Sequence, residues 1–201
     1  MPMRVAVCIS GRGSNLMALL DALAGDAPAR VVLVISDRPG AGGLTRATER
    51  GIPTAVLGDA SDPGEWLAVL AGHAVDLVVL AGFLKLVPAE VVARYRGRIV
   101  NVHPALLPAF GGPGMYGARV HRAVLESGAS ESGATVHLVD EAYDRGMILA
   151  QERVPVSAGD TPERLAERVL EAEHRLLPAV VLAAARSGHP VPLPSPLESS
   201  R

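Results

Sequence analysis

Residues 4–9 read Arg-Val-Ala-Val-Cys-Ile, residues 11–15 read Gly-Arg-Gly-Ser-Asn, and a helical stretch follows from about Leu16 to Leu23. An apolar run without in/out alternation marks a strand covered on both faces. The glycines let the chain turn tightly from that strand into the helix. The same unit recurs downstream. Arg30–Ile35 reads as a second strand followed by a helical stretch at Leu44–Arg50, and Pro53–Leu57 as a short third. A helix near Pro63–Gly72 precedes the apolar run Asp76–Leu80. Strands alternating with helices predict right-handed crossovers and an open α/β parallel sheet with helices on both faces, a Rossmann-like arrangement.

The rhythm changes after Arg98-Ile99-Val100-Asn101. Pro104, Pro108, Pro113 and the glycines of 111–117 predict a loop, and Val120–Leu125 a short helix. Ala134–Val139 and Met147–Pro155 read as strands with no room for a crossover helix between them, so they are expected to pair antiparallel. Thr161–Arg186 is the longest helical stretch, with Pro162 at its first position and Leu165, Val169, Leu176 and Leu177 on one stripe. These elements form one domain over residues 1–186, and residues 187–201 are expected to be a loose, Pro-rich C-terminal tail.

With 201 residues, 49% hydrophobic and 20% charged, the chain has a globular composition. A chain of this length buries roughly 70% of the surface its unfolded form exposes. Its formal net charge of −2 gives no global positive field for nucleic acid. The single Cys8 excludes an internal disulfide and suits a reducing compartment. No apolar run reaches membrane-helix length, and the N-terminus enters a strand without a signal-peptide pattern. A cytoplasmic location is the expectation, with no membrane partner. A homodimer is compatible with the sequence, which does not fix the oligomeric state.

Three stretches carry chemistry. Gly11–Asn15 sits at a strand-to-helix junction, where free helix N–H groups favour an anion. Leu16 stands where a dinucleotide fingerprint has its third glycine, so a mononucleotide-sized phosphate ligand fits better; the alternative is a plain helix cap. Asn101-Val102-His103-Pro104 ends a strand, with two side chains two residues apart and therefore on one side. A carboxamide can stabilise an oxyanion while the imidazole exchanges protons near neutral pH. The alternative, on these residues alone, is a capping Asn and a surface His. The turn Asp140–Gly146 offers a carboxylate to orient that imidazole, although acidic residues and glycine are also ordinary turn formers. The six histidines show no metal-ligand spacing, so no metal is expected. His137 shares an alternating strand with Thr135 and Val139 and reads as structural, on a face that could line a cleft.

Taken together, VAVCISGRGSNLMALLDA, DLVVLAGFLKLVPAEVV, RIVNVHPALLPAF, ESGATVHLVDEAYDRGMILAQERVPV and RVLEAEHRLLP resemble the phosphoribosylglycinamide formyltransferase family over roughly residues 3–185. The resemblance implies transfer of the formyl group of 10-formyltetrahydrofolate, a co-substrate, to the amine of glycinamide ribonucleotide in purine biosynthesis. It places catalytic roles on Asn101, His103 and Asp144, and substrate binding on Gly13, Ser14, Asn15 and Glu173. Folate contacts fall on Leu84, Lys85, Leu86, Val87, Asn101, Asp140 and Glu141. The sequence departs from the family at Asp62–Trp66, which lacks a common arginine, at Lys85 and Leu138, and in a longer loop at 111–117.

In this reading Asp144 pairs with His103 and raises its pKa above the reference of about 6.5, keeping the ring charged. Methionyl-tRNA formyltransferase shares the Asn-His-Asp arrangement but normally adds a basic C-terminal domain, where this chain has its Pro-rich tail. Formyltetrahydrofolate deformylase uses the same centre with water as acceptor and usually adds an N-terminal regulatory domain, whereas the first strand here starts by about residue 3. A nucleotide-binding module without catalysis would use only Gly11–Asn15 and give His103 and Asp144 no role.

Overall fold

In the computed structural model, which describes residues 1–194, side chains along β1 (Met3–Ile9) alternate between two cores. Val5, Val7 and Ile9 enter one, and Ala6 and Cys8 the other. Both sets are fully buried, which is why the run carries no polar residue between Val5 and Ile9. Beside β1 lie β2 (Ala29–Ser36), β3 (Thr54–Val56), β4 (Leu77–Leu80) and β5 (Ile99–His103). The sheet of seven strands has the order β3-β2-β1-β4-β5-β6-β7. The first five are parallel. β6 (Glu131–Leu138) pairs antiparallel with β5, and β7 (Ile148–Pro155) pairs antiparallel with β6, the latter as their short connection requires.

Helices α1 (Ser14–Ala22), α2 (Gly42–Glu49), α5 (Ala118–Glu126) and α6 (Pro162–Ser187) supply residues to the core on one face. Those of α3 (Pro63–Gly72) and α4 (Ala89–Arg94) fill the other. The six-residue α4 has no counterpart among the helices expected from sequence. It starts straight after Pro88 and is too short to show a helical period. Thr161 caps α6, its Oγ1 accepting from the Arg164 N–H at 3.3 Å, and the expected stripe Leu165, Val169, Leu176 and Leu177 is buried. After Gly188 the chain turns back, and the Leu193 N–H donates to the Leu149 carbonyl on edge strand β7 at 2.8 Å. This part of the expected loose tail is therefore docked; residues 195–201 lie outside the described residues.

The strand order places the site. β1 connects outward to β2 on one side, while β4 and β5 lie on the other. The loops leaving β1 and β4 therefore diverge at a switch point, where open α/β sheets bind ligands. Two hydrogen bonds tie these loops together: Ser10 N–H to the Gly82 carbonyl at 3.1 Å, and Leu84 N–H to Ser10 Oγ at 2.9 Å. Phe83 is anchored from below by an edge-to-face contact with Trp66, with centroids 5.3 Å apart.

Candidate active site

β5 pairs with β6 so that Asn101 stands opposite His137 and His103 opposite Thr135. Directly opposed residues on one face bring their side chains together. The Asn101 Nδ2 accordingly lies 3.0 Å from His137 Nε2. Asp144 arrives from the turn between β6 and β7. Gly146 permits that turn: a Cβ there would run into the Leu138 carbonyl. Asp144 itself takes a left-handed φ of 55°, a strained conformation for a non-glycine residue. Its Oδ2 accepts from the Gly112 N–H at 2.9 Å and sits 3.6 Å from His103 Nδ1. Its Oδ1 is 3.5 Å from both Asn101 Nδ2 and His137 Nε2.

Backbone carbonyls accept and never donate, and this decides the histidine tautomers. His103 Nε2 lies 2.9 Å from the Phe110 carbonyl, so Nε2 carries a proton. In the neutral ring the basic atom is then Nδ1, the one facing Asp144. His137 Nδ1 lies 2.7 Å from the Leu138 carbonyl and carries its proton there. In the tautomer with its proton on Nδ1, His137 accepts at Nε2 from an Asn101 N–H, leaving the second Asn101 N–H only the 3.5 Å contact to Asp144. That hydrogen is available to a ligand oxygen.

The charge state of His103 differs from the expectation. Burial pushes its pKa below 6.5 and outweighs the raising effects of Asp144 and of the Phe110 carbonyl; His137 lowers it further. The side chain is 4% exposed, and its Nδ1–Asp144 contact is too long for a hydrogen bond. The unliganded ring is therefore largely neutral at pH 7. Burial alone would raise Asp144, yet its carboxyl is held below the usual range by the His137 and His103 rings, which favour the carboxylate when they are protonated, and by the Gly112 N–H.

These groups line a cleft of about 520 Å³ that also takes in Ser14, Asn15 and Glu173. Asn15 Nδ2 donates to Glu173 Oε2 at 2.7 Å, while the buried Asn15 Oδ1 has no partner. Burial raises the Glu173 pKa to about 7, against the lowering effect of that hydrogen bond. Helix α1 begins beside this pair with no side-chain cap and no acidic residue in its first turn. Its N-terminal N–H groups retain their positive end for a ligand.

A family model described as "Formyl transferase" matches residues 3–181. The chain belongs to the formyl transferase family. A chloroplastic phosphoribosylglycinamide formyltransferase of Arabidopsis thaliana is 48% identical, the match covering 89% of this chain and 64% of that protein. This chain thus spans just under two thirds of that plant relative's length. The phosphoribosylglycinamide formyltransferase of Mycobacterium tuberculosis is 46% identical, with 93% of this chain and 87% of that one covered. The crystal structure of phosphoribosylglycinamide formyltransferase from Anaplasma phagocytophilum superposes with a TM-score of 0.87 at 39% identity, covering 93% and 88% of the two chains.

Within this formyl transferase cleft the structure gathers Asn101, His103, Asp144, Ser14, Asn15, Glu173, Leu84, Lys85, Leu86, Val87 and Asp140. Two residues expected at the site stand outside it. Gly13 does not line the cleft; at φ 75° it makes the turn, with no room for a Cβ, which would lie 2.9 Å from the Gly43 Cα. Glu141 is exposed, its carboxylate 3.9 Å from Arg96, and it is not among the residues that line the cleft. Conversely, His121, His137, Met115 and Tyr116 line the cleft without having been expected there as ligand contacts. For His137, its place opposite Asn101 in an antiparallel pair was the available signal. His121 is a buried polar residue on a strongly amphipathic helix, a detectable anomaly in its apolar face. The Asp62–Trp66 departure also has a structural account. Asp62 caps α3 through the Gly64 N–H at 2.8 Å, and Glu65 accepts from Gly58 and Asp59 at 2.8 and 3.0 Å. That segment closes its own turn.

Proposed function

We propose that this chain transfers the formyl group of 10-formyltetrahydrofolate to the amine of glycinamide ribonucleotide, in purine biosynthesis. One observation carries the reading: the Asn101–His103–Asp144 constellation shares a single cleft with an uncapped helix N-terminus and the buried Asn15–Glu173 pair. The first suits addition to a carbonyl, and the second a phosphorylated, hydroxyl-bearing acceptor.

In the proposed reaction, Ser14 and Asn15 at the start of α1 meet the phosphate, in a turn shaped by Gly13. Glu173 accepts from ribose hydroxyls. The pterin lies against Leu84–Val87 and the turn at Asp140. The acceptor amine attacks the formyl carbon, and the carbonyl electron pair moves onto oxygen. The free Asn101 N–H donates to that oxygen; losing one such donor costs about 2.7–4 kcal/mol of barrier in comparable sites. Neutral His103 takes the amine proton at Nδ1, and the resulting cation pairs with Asp144 Oδ2. The same proton then passes to the departing folate nitrogen as its bond to the formyl carbon breaks. His103 ends neutral, ready for another turnover. A reducing cytoplasm suits the buried thiol of Cys8.

The test offers purified protein 10-formyltetrahydrofolate with glycinamide ribonucleotide, charged initiator tRNA, or water alone. Formylated glycinamide ribonucleotide is expected, with its production strongly reduced in His103→Ala. Formate release with water as the sole productive acceptor would instead make the chain a deformylase.

A further inference from the structure

Arg12 lies between the two glycines of Gly11-Arg12-Gly13-Ser14-Asn15, between the end of β1 and the start of α1. Its side chain is exposed at the cleft and makes no hydrogen bond or ion pair among the described residues. Arg12 and Lys85 are the two arginine or lysine residues that line the cleft. Lys85 belongs to the segment after β4, where the pterin is placed. From α6 the cleft receives Glu163, Leu170 and Glu173, which are apolar or acidic, and Glu173 is the one bonded to Asn15. A helix N-terminus offers the equivalent of about half a positive charge, well short of a phosphate dianion. Arg12 is the cation positioned to add a full positive charge there, with planar N–H donors that match phosphate oxygens.

We infer that Arg12 clamps the acceptor's phosphate and sets the preference for a phosphorylated over an unphosphorylated acceptor. This rests on the assignment of the acceptor to the α1 end of the cleft. An exposed guanidinium adds a charge-assisted bond that salt weakens, because the Debye length is about 10 Å at 0.1 M. The contribution is therefore largest at low ionic strength. The backbone turn needs nothing from this side chain, so substitution leaves the loop in place.

Ribose 5-phosphate separates binding from chemistry. Its dissociation constant, measured by calorimetry at low and high potassium chloride, is expected to rise about tenfold in Arg12→Ala at low salt. The gap should narrow at high salt, and Arg12→Lys should restore part of the affinity. In turnover assays the loss should appear in KM for glycinamide ribonucleotide rather than in KM for the folate. Equal affinities and equal salt dependence in wild type and Arg12→Ala would overturn the clamp while leaving formyl transfer intact. Failure of ribose 5-phosphate to bind the wild-type protein would instead remove the phosphate assignment beneath it.

Discussion

Replacing Asp144 by Asn should lower the His103 pKa and turnover together. The amide is isosteric, so its carbonyl can still accept from the Gly112 N–H that now binds Asp144 Oδ2 at 2.9 Å. The charge is what disappears. At the 3.6 Å separation of Nδ1 and Oδ2, a unit pair interacts by about 1 kcal/mol in water and about 4–5 kcal/mol at an effective dielectric of 20. One pH unit corresponds to about 1.4 kcal/mol, so the His103 pKa should fall by about one to three units. Burial already holds it below 6.5, and the substitution adds to that displacement. The sign for activity follows. Neutral His103 is the base, so the acid limb of the kcat/KM profile reports its protonation and should move to lower pH in Asp144→Asn. The plateau should drop at least about tenfold, because the imidazolium formed during proton transfer has lost its counter-charge. NMR titration of the His103 ring, beside pH–rate profiles of both proteins, measures the two quantities independently. An unmoved His103 pKa, or a limb that stays put while the plateau falls, would refute the electrostatic coupling and leave Asp144 as a positioning group only.

Two further outcomes follow from buried hydrogen bonds. His137→Phe deletes the acceptor that orients the Asn101 carboxamide, and kcat should fall roughly five- to tenfold, about the worth of one hydrogen bond; steady-state assays at saturating substrates would show it, and an unaltered kcat would contradict the tautomer assignment. Glu173, raised to about 7, binds a proton in the folded state that the unfolded chain releases near its ordinary value of 4.5, so stability should decline as pH rises through that window. Glu173→Gln should remove this decline, gaining up to about 3 kcal/mol relative to wild type at pH 8, with little difference at pH 4.5. Urea unfolding at both pH values tests it, and parallel curves would show that Glu173 does not titrate there.

How much of this was legible in the sequence depends on whether the deciding interaction is local. The parallel core was readable because each buried strand is a contiguous apolar run, from Val5–Ile9 to Leu77–Leu80, and each crossover helix follows within a few residues. Asn101 and His103 share a side because residues two apart on a strand must do so. Helix α4 escaped because six residues after a proline show no period. Glu141 and Asp140 are adjacent in sequence, yet only Asp140 lines the cleft; the direction each takes depends on how the turn lies against β6 and on Arg96, which comes from elsewhere in the chain.

The charge on His103 was the least legible feature, and it alters the chemistry most. An aspartate expected to pair with the ring suggests a raised pKa, since attraction between the two can be anticipated from residue types. The opposing contribution comes from enclosure that leaves the ring 4% exposed, with a smaller one from His137 across the sheet; neither can be anticipated from the residues beside His103. Enclosure wins in the unliganded state. The consequence is a proton acceptor that is already neutral when substrate arrives, rather than a cation that must first lose its proton. Asp144 then has its largest effect after the proton has moved, when the 3.6 Å gap separates opposite charges instead of a charge and a lone pair. An interaction that is weak before the transfer and strong during it stabilises the transition state selectively, which is the condition for raising kcat.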